Sequence, residues 1–268
     1  MGTRFRIFSI AFCVCLMSAA HCAAVTSFEI YEASTLNQVI KKNKLVVGSE
    51  VTFFPFEYAD TDGRPIGFDI DLAKLAAQEL GVQIEIKDME FSGLIPALQG
   101  GRVDMIISGM TRTPARGRTV SFTQPYFVAG LCALISNKRA PDVTEVGQLN
   151  AEGRILAVKL GTTGDIAASK LFPKARVNRF KEETACVLEV VSGRADAFIY
   201  DQLSVSIHHS QNAETTHTIL KPFTYEPYAI AIKSGDFDFL NWLNLFLDTV
   251  KADGRYDELH KKYFGDLK

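Results

Sequence analysis

Residues 103–116 read VDMIISGMTRTPAR. Val103, Met105, Ile106 and Ile107 form a short apolar run between Arg102 and Ser108, the pattern of a buried strand. The loop SGMTR follows. Thr113 suits a helix N-cap and Pro114 the first helical position, where its fixed φ and missing N–H cost nothing. Arg116 then falls in the first turn, and its guanidinium can turn back toward the loop, where backbone amides and the Thr111 hydroxyl converge. A planar fork of donors beside a hydroxyl and free amides suits a carboxylate. The alternative is an exposed arginine on an ordinary helix start.

Outward from this stretch, strands alternate with helices. LVVG at 45–48 reads as a strand, and EVTFFPFEYADTDGRPIGF after it as a loop with a tight turn at Asp62-Gly63. A helix begins at Asp69 or Asp71 and ends at Gly81, with Leu72, Leu75, Ala76 and Leu80 as its inward stripe. Strand Ile84 to Ile86 and helix Ser92 to Gln99 lead back to the opening stretch. Such βαβ units imply a parallel sheet under helices, with ligands at the carboxyl ends of the strands. Loops 49–53, 88–92 and 108–112 therefore share one rim.

From Val120 an extended, Pro-punctuated passage leads to a strand at Leu131 to Ile135 and a second α/β set. This set has strand Ile155 to Val158, the loop KLGTTGD, a helix through Ala168, a strand near Val177, a helix from Glu182 to Val191 and strand Ala197 to Tyr200. The chain returns past Pro222 and Pro227 through YAIAI to two closing helices, Phe237 to Val250 and Tyr256 to Phe264. Two extended crossings flanking an α/β block imply two lobes joined by two strands.

The chain has 268 residues, 47% apolar and 22% charged, with a net charge of −2, a balance that does not suggest a nucleic-acid partner. Residues 1–22 read as a secretory signal: Arg4 and Arg6, an apolar run from Ile7 to Met17, then Ser18-Ala19-Ala20. Export to the periplasm or another extracytoplasmic space follows. Cys22 is a candidate lipid anchor, disfavoured by His21 before it. Residues 23–43 read as a tether with a short polar helix. Cys132 and Cys186 remain in the mature body, either as a disulfide or as two buried free thiols.

Further ligand candidates sit on the rim. Phe53 and Phe91 can supply two rings with a slot between them for a side chain. Lys159 ends a strand and GTTG opens the next helix, a natural anion site that lacks the Lys-Ser/Thr pair of a Walker loop. Asp201, directly after ADAFIY, suits an ammonium ligand or else caps the helix beginning at Gln202. No catalytic residue and no metal ligand set is read. No Ser or Cys lies in a nucleophile elbow, and His208, His209, His217 and His260 are scattered.

Seven stretches in order resemble the solute-binding proteins that deliver polar amino acids to ABC transporters: LVVGSEVTFFPFEY, GFDIDLAKLAAQEL, MEFSGLIPALQGGRVDMIISGMTRTPAR, VSFTQPYF, AVKLGTTGD, GRADAFIYD and DGRYDELHKKYFG. The resemblance covers about residues 44–268. It implies an α/β, two-lobe periplasmic-binding-protein (Venus flytrap) fold, each lobe a mostly parallel sheet flanked by helices. Lobe 1 would comprise 44–126 and 228–268 and lobe 2 131–223, with hinge strands near 126–131 and 223–228.

The resemblance also implies a free L-amino acid as ligand, no cofactor, a monomer, and an ABC transporter permease as membrane partner. Arg116 would grip the α-carboxylate with the Thr111 amide and the Thr163 backbone. Asp201, the Thr111 hydroxyl and the Gly109 carbonyl would hold the ammonium, Phe53 and Phe91 would sandwich the side chain, and Glu50, Lys159 and Tyr200 would meet its far end. An acid at 50 with a lysine at 159 resembles glutamine-binding members, although Glu50 is longer than the expected Asp and Tyr200 stands where a His is usual. The rival readings are a cyclohexadienyl dehydratase-like enzyme on the same fold and a ligand-sensing receptor subunit.

Overall fold

A computed structural model describes residues 31–265. The signal segment, Cys22 and the start of the segment 23–43 lie outside the described residues. Helix α1 (Thr35–Lys42) is packed rather than free. Asp236 caps the much later helix Phe237–Ala252 through Phe239 N and also accepts from Thr35 N at 2.7 Å, which ties α1 down. The part of 23–43 read as a tether that contains this helix therefore belongs to the first lobe.

The first lobe is built on five strands in the order β5 (Gln83–Asp88), β1 (Lys44–Ser49), β6 (Met105–Ile106), β15 (Ala231–Lys233) and β7 (Val120–Phe122). The second repeats the plan with β11 (Arg176–Phe180), β10 (Ile155–Lys159), β12 (Ala197–Asp201), β9 (Leu131–Ser136) and β13 (Thr216–Ile219). Four strands of each sheet run the same way, three of them paired side by side in parallel as the βαβ pattern requires. The remaining strand, β15 in the first sheet and β9 in the second, lies antiparallel between two of these, so each sheet is mixed with four of its five strands running one way, as the expectation of mostly parallel sheets has it. The cause lies in the crossings: β9 and β15 enter their lobes from the other lobe, at the ends where the parallel strands finish, and must run the opposite way.

The crossings are β8 (Phe127–Ala129) and β14 (Glu226–Tyr228), which pair antiparallel with each other, Phe127 opposite Tyr228. The passage read as a loop after the first strand is a small three-stranded ribbon, β2 (Thr52–Phe53), β3 (Glu57–Ala59) and β4 (Pro65–Ile66). Its turn forms because the Asp60 carboxylate accepts from the amides of Asp62 and Arg64.

Helix α2 (Phe68–Leu80) ends on Gly81 at φ +65°, the left-handed C-cap its sequence predicts. It buries Phe68, Leu72 and Ala76 over Leu45, Val47 and Met105 of the sheet, each fully buried large side chain contributing about 1.5–3 kcal/mol. Helix α3 (Phe91–Gln99) covers the other side of β1 with Leu94 and Leu98. In the second lobe α4 (Thr163–Leu171), α5 (Glu183–Val191) and α6 (Gln202–Gln211) flank the sheet. The closing helices are α7 (Phe237–Ala252) and α8 (Arg255–Phe264), and α8 sends Tyr256 Oη to the Tyr126 carbonyl at 2.6 Å. Cys132 on β9 and Cys186 on α5 are separate buried free thiols, so of the two readings the disulfide is the one set aside.

Candidate functional site

The parallel strands of both sheets end at the cleft between the lobes. Glu50 follows β1, Ser108 to Thr111 follow β6, Lys159 ends β10 and Asp201 ends β12. Of the residues picked out in the sequence, all but Lys159 line one cavity there, and Glu57, Ser108 and Thr162 line it as well. The cavity encloses about 320 Å³, and Arg116 and Lys159 each bond across the cleft to the opposite lobe. The lobes are therefore closed on one another.

Arg116 is 8% exposed. Thr113 and Pro114 do set the turn, with Thr113 Oγ1 accepting from Arg116 N at 3.2 Å. The α-helix expected here is, however, a single 3₁₀ turn, Arg116–Arg118, because strand β7 begins at Val120 and leaves no length for more. The guanidinium donates to the Thr111 carbonyl at 2.7 Å and, across the cleft, to the Gly161 carbonyl at 3.1 Å. It also lies 5.2 Å from the centre of the Phe91 ring, so Phe91 is a platform for the arginine as well as a cavity wall. Burial lowers its pKa to about 10, against the opposing pull of Glu226 and Asp201.

Asp201 stands at the N-cap position of α6, yet its side chain makes no capping bond. Its Oδ1 is buried without a hydrogen-bond partner among the described residues. Burial raises its pKa to about 7, with Glu226 and Glu183 pushing the same way. Such a carboxyl has a strong electrostatic incentive to meet a cation. Thr163 opens α4, whose first-turn amides have no carbonyl inside the helix to bond. Phe53 is stacked on Phe56 at 5.1 Å and edge-on to Tyr200 at 5.6 Å, a contact between the lobes.

Lys159 behaves differently from expectation. It is 1% exposed, and its ammonium rests on Glu50 Oε2 of the other lobe, so it reaches the cavity only through that carboxylate. Burial raises the Glu50 pKa, and Lys159 opposes the rise.

Three acids were missed as site residues in the sequence. Glu57 was hidden in the aromatic loop, Asp69 read as an ordinary helix-start acid, and Glu226 sits in the crossing YEPY. Ser108 Oγ donates to Glu57 Oε1 at 2.8 Å, while Gly109 N and Tyr126 Oη donate to Asp69 Oδ2 at 2.8 and 2.6 Å. These bonds fix the SGMT loop. Gly109 is required there twice over: its φ is +49°, and a Cβ would lie 2.7 Å from Phe53 Cε1. Among the described residues no cluster of His, Cys, Asp and Glu is arranged to hold a metal ion, and no helix is long and apolar enough to cross a membrane.

Two α/β lobes joined by two strands, with a buried polar cavity shut between them, define a two-lobe binding protein. Residues 45–266 match the bacterial extracellular solute-binding proteins, family 3, and the chain belongs to that family. The ABC transporter glutamine-binding protein GlnH of Bacillus subtilis is 32% identical over 96% of this chain and 97% of its own. Other relatives are named for histidine, arginine and cystine. Among solved structures, the ancestral amino acid-binding protein AncCDT-1, described as a precursor of cyclohexadienyl dehydratase, is 40% identical with a TM-score of 0.79, covering 87% of this chain and all of that one. An ancestral arginine-binding protein bound to glutamine is 37% identical with a TM-score of 0.77, covering 84% and 99%.

Proposed function

We propose that this protein captures a free polar L-amino acid, glutamine first, outside the cytoplasm and presents it to an ABC transporter permease. The observation that carries this reading is the charge arrangement of the cleft. Arg116, from one lobe, and Asp201, from the other, line the same cavity, the second with an unpartnered oxygen. A zwitterion satisfies both at once, its carboxylate on the guanidinium and Thr163 amide, its ammonium on Asp201, the Thr111 hydroxyl and the Gly109 carbonyl. Arg116 then exchanges the Gly161 carbonyl for the ligand and still ties the lobes together. Phe53 and Phe91 flank the side chain, and Tyr200 closes its far end.

Glu50 supports an amide at that end. Its Oε2 is engaged by Lys159, which leaves Oε1 to accept from an amide NH₂. The Glu50–Lys159 pair is neutral as a unit, and a neutral side chain leaves it so. The amino-terminal segment 1–22 supports export, and the protein works as a monomer on this reading.

Thermal stability of the mature protein against the common amino acids and prephenate tests the proposal. A ligand at about a hundred times its Kd adds about 2.7 kcal/mol. A shift with glutamine supports the reading. A shift with prephenate alone points to the enzyme on the same fold, and no shift with any amino acid sinks the amino-acid reading.

A further inference from the structure

Below the cavity floor lies a pair of carboxyls that the ligand clamp does not use. Glu57, on β3, lines the cavity and is 1% exposed; Asp69, in the first turn of α2, is fully buried behind it. Of their four oxygens, Glu57 Oε1 is engaged by Ser108 and Asp69 Oδ2 by Gly109 and Tyr126. The two left over, Glu57 Oε2 and Asp69 Oδ1, have no donor among the described residues. Glu57 and Asp69 are hydrogen-bond neighbours; two buried carboxyls so placed strongly disfavour double ionisation, and one proton between them supplies the missing donor.

The surroundings agree. Desolvation first, then Asp69, push Glu57 well above the usual carboxylate range, and desolvation holds Asp69 at about 6 despite the hydrogen bonds from Tyr126 and Gly109. The groups that face the pair are Tyr126 at the hinge, Ser108 in the β6 loop, Lys159 of β10 and Tyr200 of β12. Glu50 is joined to it through Ser108, whose Oγ accepts from Glu50 N at 3.0 Å. Lys159 is spent on Glu50, so among the described residues no free cation faces the pair. Around the cleft, among the described buried residues, Glu50, Glu57, Asp69, Glu183, Asp201 and Glu226 stand against Arg116 and Lys159.

We propose that Glu57 and Asp69 form a one-proton pair that reads the charge of the ligand side chain, keeping the proton beside a neutral occupant and releasing it beside a cationic one. The proposal rests on an amino acid occupying the cleft. A guanidinium or ammonium at the floor takes the electrostatic place of the proton, so the site admits cationic amino acids as well as glutamine, in exchange for H⁺. Glu57 is thus a specificity residue and Asp69 its positioning partner.

The test is titration calorimetry of the mature protein with glutamine, arginine and lysine at pH 8, in two buffers of different ionisation enthalpy. At that pH Asp201, near 7, is already largely ionised and contributes little. The expected result is a release of protons with arginine and lysine that exceeds the glutamine value by up to about one per ligand. Glu57→Gln and Asp69→Asn should abolish the excess, and Glu57→Gln should weaken arginine at least tenfold more than glutamine. Equal proton counts for the three ligands, an excess that survives in Glu57→Gln, or glutamine binding with no arginine or lysine binding overturns the proposal. Absence of binding by every amino acid instead removes the ligand reading on which it rests, and the proposal with it.

Discussion

The ammonium of Lys159, at the end of β10 in the second lobe, sits on the carboxylate of Glu50, just past β1 in the first. Both side chains are more than 90% buried, so the pair is a fastening between lobes as well as a wall behind the ligand. On the proposed reading, its neutrality as a unit favours an uncharged amide at this end of the cleft. Breaking such a pair by removing one partner costs more than removing both, because the survivor is left charged in a poorly solvated place.

Lys159→Met is therefore expected to weaken glutamine binding at least tenfold and to lower stability by about 3 kcal/mol. The double variant Glu50→Gln/Lys159→Met should recover part of the stability. Calorimetry and denaturant titration over the four-member cycle check this, and strictly additive effects would show that the two residues do not act as a pair.

Asp201 makes binding pH-dependent. Its pKa near 7 in the free protein means that below that value the ligand ammonium must displace a proton. Affinity for glutamine should be greatest near pH 8, where Asp201 is ionised and the ligand amine still protonated, and fall below 7, approaching tenfold per pH unit. Stability runs the other way. A carboxyl whose pKa is raised by folding contributes stability fully present below its unfolded value, near 3.9, and lost as pH rises through about 7. Asp201→Asn should abolish the slope in affinity, and a slope unchanged in that variant would assign it elsewhere.

Gly109→Ala forces a side chain into the left-handed region and against the Phe53 ring. Loss of glutamine affinity by at least tenfold is expected, with a cost in stability of about 1–3 kcal/mol. Binding at the wild-type level would mean that neither the SGMT loop nor Phe53 is fixed as described.

The thiols of Cys132 and Cys186 are buried, and burial pushes each pKa up to about 12. Neither should react with a thiol reagent at pH 8 in the folded protein, and both should react within minutes in denaturant. Mass spectrometry of the alkylated mature chain counts them. One fast-reacting native thiol, or none after denaturation, would contradict the reduced, buried pair.

The sequence made most of this architecture legible because its signals are local. Gly81 after an apolar stripe, the alternation of strands and helices, and the Pro-punctuated passages near Tyr126 and Pro227 each follow from a few adjacent residues. The direction of β9 and β15 was not local: it depends on which lobe the chain has just left. The clamp was legible in part, since Arg116, Thr111 and Asp201 are placed by strand ends. Whether Asp201 caps α6 or faces the cleft turns on one side-chain rotamer, and the residue pattern is the same for both. Glu57 and Asp69 were out of reach for a further reason. They are twelve positions apart on different elements, and only their meeting under the SGMT loop makes them a pair.

Arg116 bears the central claim, because on this account every ligand enters through its α-carboxylate. Calorimetry of the Arg116→Ala protein with glutamine, beside a check of its thermal unfolding, tests it most directly. The account predicts that a folded Arg116→Ala protein loses glutamine affinity by more than a hundredfold, about 2.7 kcal/mol, and binds no other amino acid in its place. A folded variant whose affinity falls less than tenfold would contradict the clamp and the amino-acid reading built on it.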